Sequence, residues 1–180
     1  MSVSFADLRS TPLTTAAVIV AAGGAATILG AYFFQYVIGL KPCPLCLEQR
    51  YAYYFAIPLA AMVLLGVSVN SSRKVLIAAL AVIAAIMLWN AGLGAYHAGV
   101  EWKFWPGPRD CTGELTSFGN AGSLLQQIQR TSIVRCDEIP WSFLGLSLAG
   151  YNALISLALA VVAGWGAVTE FRRPKEAGGA

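Results

Sequence analysis

Four long stretches of this chain carry no charged residue: those between Arg9 and Lys41, Arg50 and Arg73, Lys74 and Glu101, and Glu138 and Glu170. A helix needs about 20 apolar residues to cross the hydrocarbon core of a bilayer, and each window is long enough. Helices of water-soluble proteins present a polar face at every turn, and these windows do not. Only 12% of the 180 residues are charged and 57% are hydrophobic, far from the soluble average. The predicted fold class is therefore all-α: a four-helix transmembrane bundle forming a single domain over residues 1–180. The spans are expected at about 13–40, 49–69, 75–98 and 141–168, with one large loop over 99–140. Ala21-Ala22-Gly23 imitates a signal-peptide cleavage site, but its apolar window is too long and Asp7 offsets Arg9 in the leader, so a retained helix is expected. The net charge of +3, with no basic run, argues against a nucleic-acid partner.

Between the first two windows lies Lys41-Pro42-Cys43-Pro44-Leu45-Cys46-Leu47-Glu48-Gln49-Arg50. Two cysteines with two residues between them can cycle between dithiol and disulfide. Pro42 and Pro44 oppose helix on their own side, and helix can resume from about Leu45. Cys46 then sits in a first helical turn, where unpaired N–H groups favour a thiolate, and Arg50 lies on the same face one turn later. A redox centre at the lip of a membrane is the reading that uses all of these residues. Arg50 by itself could be an interfacial anchor. A zinc site is disfavoured because Cys111 and Cys136 form no second close pair and His97, the only histidine, lies in an apolar window, so no metal is expected. Haem attachment needs histidine directly after the second cysteine, and Leu47 stands there.

Other residues stand out along the chain. Gln35 is an amide near the end of the first span, readable as an interhelical hydrogen bond or as a donor to a bound polar head group. Pro58 is expected to kink the second span. His97 should lie at the depth of the cysteine motif, either as a neutral hydrogen-bonding residue or as a cofactor contact. Within the loop, Ala121–Val134 reads as a short amphipathic helix on the membrane surface. Basic residues number six on each side, and only their density favours cytoplasmic termini. All four cysteines lie on the loop side, and disulfides persist outside the cytosol, so the loops are expected in the periplasm or an equivalent space.

Cys111 and Cys136 admit two readings. A structural staple closing a loop of that size would contribute roughly 3–4 kcal/mol on the chain-entropy model. Alternatively, Cys136, tethered near the membrane by the next helix, reaches Cys43, while Cys111 adjoins a Pro/Gly-rich segment that can meet a soluble partner. Two exchanging pairs would then conduct electrons.

Phe33-Phe34-Gln35, Leu40 to Cys46, Gln49-Arg50, Cys111, Cys136 and Trp141-Ser142-Phe143-Leu144-Gly145-Leu146 together resemble the disulfide bond formation protein B (DsbB) family, across all four spans and the loop. The resemblance implies an inner-membrane oxidase that regenerates a periplasmic DsbA-type thiol oxidoreductase and passes the electrons to ubiquinone or menaquinone. By position it implies that Cys111 takes the partner's attack, Cys136 is released and attacks Cys43, and Cys46 becomes the thiolate facing the quinone. Arg50, His97 and Gln35 would hold the quinone, and the resting pairs would be Cys43–Cys46 and Cys111–Cys136. Gln49 departs from the family pattern, in which an acidic residue commonly precedes the arginine. A DsbI-type oxidase for one dedicated partner and a non-enzymatic four-span scaffold with a stapled loop are the alternatives. Vitamin K epoxide reductases keep their Cys-x-x-Cys late in the bundle, unlike Cys43 and Cys46.

Overall fold

The computed structural model describes residues 11–108 and 135–174. Four helices account for most of them: α1 (Pro12–Tyr32), α2 (Pro44–Ser68), α3 (Arg73–Glu101) and α4 (Leu148–Arg172). All four are long and apolar enough to cross a membrane. The expected amphipathic helix over 121–134 lies outside the described residues.

The helix starts arise from local chemistry. Thr11 caps α1 by accepting from the Thr14 N–H at 3.2 Å, with Pro12 at the first helical position. α2 begins at Pro44, one residue before the helix expected from about Leu45 and ahead of the apolar span expected from 49. Cys43 itself is the cap: its Sγ accepts from the Cys46 N–H at 3.2 Å. The helix runs on through Pro58 without ending. The last turn of α1 widens into a π-helical turn over Phe33–Val37, which contains Gln35. Between α2 and α3, Asn70 takes a positive φ of 55° and the Ser71 N–H returns to Gly66 O at 2.8 Å, reversing the chain within a few residues.

α4 begins at Leu148 and not near Trp141. The residues in between form a small antiparallel hairpin, β1 (Ser142–Phe143) and β2 (Leu146–Ser147). Leu144 and Gly145 make its turn with φ of 50° and 81°, the left-handed pair that a two-residue hairpin requires. Ser147 then caps α4, accepting from the Gly150 N–H at 3.2 Å.

Successive helices lie side by side, and α4 closes the ring against α1, with α3 and α4 packed most closely. The interior is built from Ala16, Ala17, Val20, Ala56, Ala60, Val63, Leu80, Ile83, Met87 and Ala163. Leu29, Phe55, Met62, Leu65, Leu88 and Val161 point outward, as lipid-facing side chains should. Lipid tails are as apolar as the core, so close contact of small residues, and not hydrophobic exclusion, holds such helices together. Gly94 shows how close: a Cβ there would come within 2.9 Å of the Ala153 backbone nitrogen on α4, whereas one at Gly92 meets nothing within 4 Å. Gly94→Leu is therefore expected to destabilise the bundle by about 1–3 kcal/mol, and Gly92→Leu to leave it unchanged. Thermal unfolding of the two purified variants in detergent measures the difference.

Candidate functional site

The start of α2, the end of α3 and the start of α4 meet at one end of the bundle, beside the end of α1. Cys43, only 3% exposed, packs with Leu45, Val100 and Cys136 in a small apolar cluster. Cys43 and Cys46 are thiols, and their sulfurs stand 2.6 Å apart. The hydrogen bond with Cys46, reinforced by burial, pushes the Cys43 thiol up from its ordinary range, so Cys43 is the member of the pair that keeps the proton.

The two sulfurs face different neighbours. Cys46 lines a cavity of about 770 Å³ between α1, α2, α4 and the hairpin. Its walls are largely apolar and aromatic, with Phe34, Trp141, Phe143 and Tyr151 among them. Trp141 anchors this wall, with Phe34 at 5.0 Å and Phe143 stacked at 6.1 Å between ring centroids. Arg50 and Gln35 line the same cavity, and so do His97, Gln49 and Asn152. Arg50 Nη1 donates to Gln35 Oε1 at 2.6 Å, and its guanidinium lies 5.5 Å from the Tyr32 ring centroid. Gln35 thus fixes Arg50 and keeps its own NH₂ as a donor.

Cys43 faces the other way. Its Sγ, a His97 ring nitrogen and Cys136 Sγ all lie within 4.8 Å of one another, and all three residues are buried. His97 Nε2 is 3.6 Å from Cys43 Sγ, and the imidazole also reaches the Cys136 backbone. Three residues of metal-ligating type, two cysteines and the histidine, thus stand close together. Cys136 is disulfide-bonded, however, so its sulfur is no thiolate ligand in this state. Cys111 lies outside the described residues.

The segment bearing Cys136 is tied to the chain leaving α3. Lys103 Nζ and Asp137 Oδ2 pair at 2.6 Å, and Arg135 pairs with the same carboxylate at 2.9 Å. Those partners, Arg135 first, hold the Asp137 carboxyl far below the usual carboxylate range, so the clasp stays charged at any ordinary pH. At the head of α4, Ser147 Oγ donates to the buried Glu101 carboxylate, joining the end of α3 to the start of α4.

Behind His97 runs a chain of polar side chains that sequence reasoning, Gln49 apart, does not single out. Gln49 meets His97 Nδ1 at 2.8 Å, and Asn152 Nδ2 donates to Gln49 Oε1 at 2.6 Å. Tyr53 OH donates to Asn152 Oδ1 at 2.7 Å and lies 2.9 Å from Ser156 Oγ, which accepts from Asn90 at 2.9 Å. A signal for them is nonetheless present. Gln49 and Tyr53, and Asn152 and Ser156, are each four residues apart, and Asn90 and His97 seven, so each pair shares a helix face inside an apolar window.

A family model described as disulfide bond formation protein DsbB matches residues 13–166. The chain belongs to the DsbB family. Relatives carry the name disulfide bond formation protein B. One from Albidiferax ferrireducens is 33% identical, the match covering 71% of this chain and 75% of the relative. One from Saccharophagus degradans is 30% identical over 83% and 89%, and one from a Polaromonas species 30% over 72% and 76%. No solved structure matches the chain. As a DsbB-family protein with four membrane-spanning helices, it is a multi-pass membrane protein of disulfide bond formation.

Proposed function

We propose that this DsbB-family protein is a quinone-linked thiol oxidase of the bacterial inner membrane. Its cysteine end faces the periplasm, both termini face the cytoplasm, and it regenerates the disulfide of a DsbA-type partner. The observation that carries this reading is the division of labour at Cys43 and Cys46: one sulfur borders Cys136, the other borders an apolar cavity with a cationic end.

The donor set fits a quinone. The cavity is roomy, aromatic-walled and apolar, as an isoprenoid-bearing ring requires, and Arg50 and Gln35 offer hydrogen-bond donors to ring oxygens. A quinone bound there would supply a two-electron, two-proton sink of high potential, which reoxidising a strongly oxidising partner demands. Arg50 then has two tasks, orienting the head group and stabilising negative charge at Cys46, one turn earlier on the same helix. Cys136 is in a disulfide, and the family resemblance implies Cys111 as its partner. In the relay, the partner's thiolate attacks Cys111 and Cys136 leaves as thiolate. Cys136 attacks Cys43 of an oxidised Cys43–Cys46 pair, and the electron pair of that bond goes to Cys46.

The test is reduction of ubiquinone or menaquinone by the purified protein, with a reduced DsbA-type protein as electron donor. Turnover supports the reading, and its absence from folded protein with titratable thiols returns the chain to a scaffold role. Within this scheme Arg50→Met removes a charge-assisted hydrogen bond worth about 1.5–3 kcal/mol. A rise of about 10- to 100-fold in the KM for quinone is expected, with Arg50→Lys in between; steady-state quinone reduction measures it.

A further inference from the structure

We infer that Gln49 is a positioning residue that locks His97 into the tautomer bearing its proton on Nε2, and so makes His97 a hydrogen-bond donor to Cys43. The inference rests on Cys43 being a redox sulfur and goes beyond that reading by assigning a proton to a particular atom.

One direction along the polar chain gives every donor in it an acceptor. Tyr53 gives its only O–H to Asn152 Oδ1, so between Tyr53 and Ser156 the serine must be the donor. Ser156 Oγ in turn accepts from Asn90 Nδ2. With its carbonyl oxygen accepting from Tyr53, Asn152 presents its NH₂ to Gln49 Oε1. Gln49, accepting on its oxygen, has only its NH₂ to offer His97 Nδ1. Turning one amide over sets donor against donor or acceptor against acceptor between Gln49 and Asn152. Turning both reverses the series but leaves the fully buried Ser156 hydroxyl, then accepting from Tyr53 and Asn90, with no acceptor among the described side-chain bonds. Nδ1 is therefore an acceptor, and a neutral imidazole whose Nδ1 accepts carries its proton on Nε2. That nitrogen lies 3.6 Å from Cys43 Sγ.

Every bond in the series points the same way, from Asn90 in the bundle interior to the Cys43 sulfur, and such aligned series polarise one another. The burial is deep: Asn90, Ser156, Gln49 and His97 are at most 5% exposed. An acidic residue at position 49 would reverse the last link. A carboxylate only accepts, so it would draw the proton onto Nδ1 and present a bare Nε2 lone pair to the sulfur. The glutamine is thus a change of sign at Cys43 and not merely a lost charge.

The experiment uses the single histidine. The full chain, labelled with ¹⁵N-histidine and purified in detergent, gives one imidazole whose two nitrogens report their protonation directly. The expected spectrum has the bonded proton on Nε2 and the far-downfield shift of an unprotonated nitrogen on Nδ1. It should be the same with the Cys43–Cys46 pair oxidised or reduced, because the lock comes from the amide side. In Gln49→Met, which neither donates nor accepts in this way, the two nitrogen shifts are expected to move toward one another as both tautomers become populated. A proton on Nδ1 in the unaltered protein would overturn the inference. So would a tautomer that tracks the redox state of the pair, or one that survives unchanged in Gln49→Met. None of these readouts needs turnover, so a failure of quinone reduction and a failure of the tautomer assignment are separately visible.

Discussion

Cys46→Ser is expected to abolish quinone reduction altogether, leaving no rate above the uncatalysed background. Serine keeps the size of the side chain but neither ionises near neutral pH nor forms a disulfide, so no acceptor sulfur remains on the cavity wall. The helix should survive, because the cap of α2 is the sulfur of Cys43 and Cys46 contributes only its backbone N–H to it. The purified variant is therefore expected to unfold at nearly the same temperature as the parent protein while showing no turnover with a reduced DsbA-type donor. Residual turnover above a few per cent would mean that electrons leave by another sulfur. A scaffold would be indifferent to this substitution, which makes it the sharpest division between an oxidase and a stapled four-span support.

The second large effect is expected from Cys136→Ser, and it is an accumulation where the first is a loss. If Cys111 is the sulfur that meets the partner and Cys136 the one that carries the electrons inward, removing Cys136 leaves Cys111 as a thiol that can bond the partner by exchange but has no second sulfur to resolve that bond. A partner whose second cysteine is replaced and whose first carries a small thiol in a mixed disulfide should be captured by the Cys111 thiolate to nearly one per protein, the small thiol leaving and the linked complex visible on a non-reducing gel. Peptide mapping of the linked complex locates the bond. Linkage to Cys43 would reverse the proposed order of the two pairs. The closeness of Cys136 Sγ to Cys43 Sγ, within 4.8 Å, makes the transfer between those two sulfurs a matter of small side-chain motion.

The four helices are legible in the sequence because absence of charge over a bilayer's width is a coarse signal that survives every detail of packing. Their ends are less so. A fourth helix beginning near Trp141 is the natural expectation, since Trp141 to Ser147 is as apolar as the early turns of α4. Only the positive φ at Leu144 and Gly145 turns those residues into a hairpin, and a leucine in the left-handed region carries no sequence mark. The start of α2 is legible from the prolines to within a residue, but its cap is not, because cysteine is seldom considered for that role, though here its sulfur accepts the bond. At the site, the cysteine pair and Arg50 are readable from spacing within one helix. The chain from His97 to Asn90 is not, because it passes between three helices, and spacing along one helix cannot say which face of the next will meet it. In the sequence Gln49 stands out only as a missing acid; its two partners on α3 and α4 give it its meaning.

The cavity beside Cys46 is walled not only by residues at the bundle's end but by Ala26 on α1 and Ile155 on α4. At a helical rise of 1.5 Å per residue, Ala26 lies about 13 Å along α1 from Gln35. On the proposed reading, a chamber that reaches so far down the bundle would draw its oxidant from the lipid and not from the surrounding water. Its saturation would then be set by moles of quinone per mole of lipid. Diluting the membrane with extra phospholipid at fixed total quinone should slow the protein, and diluting the buffer should not.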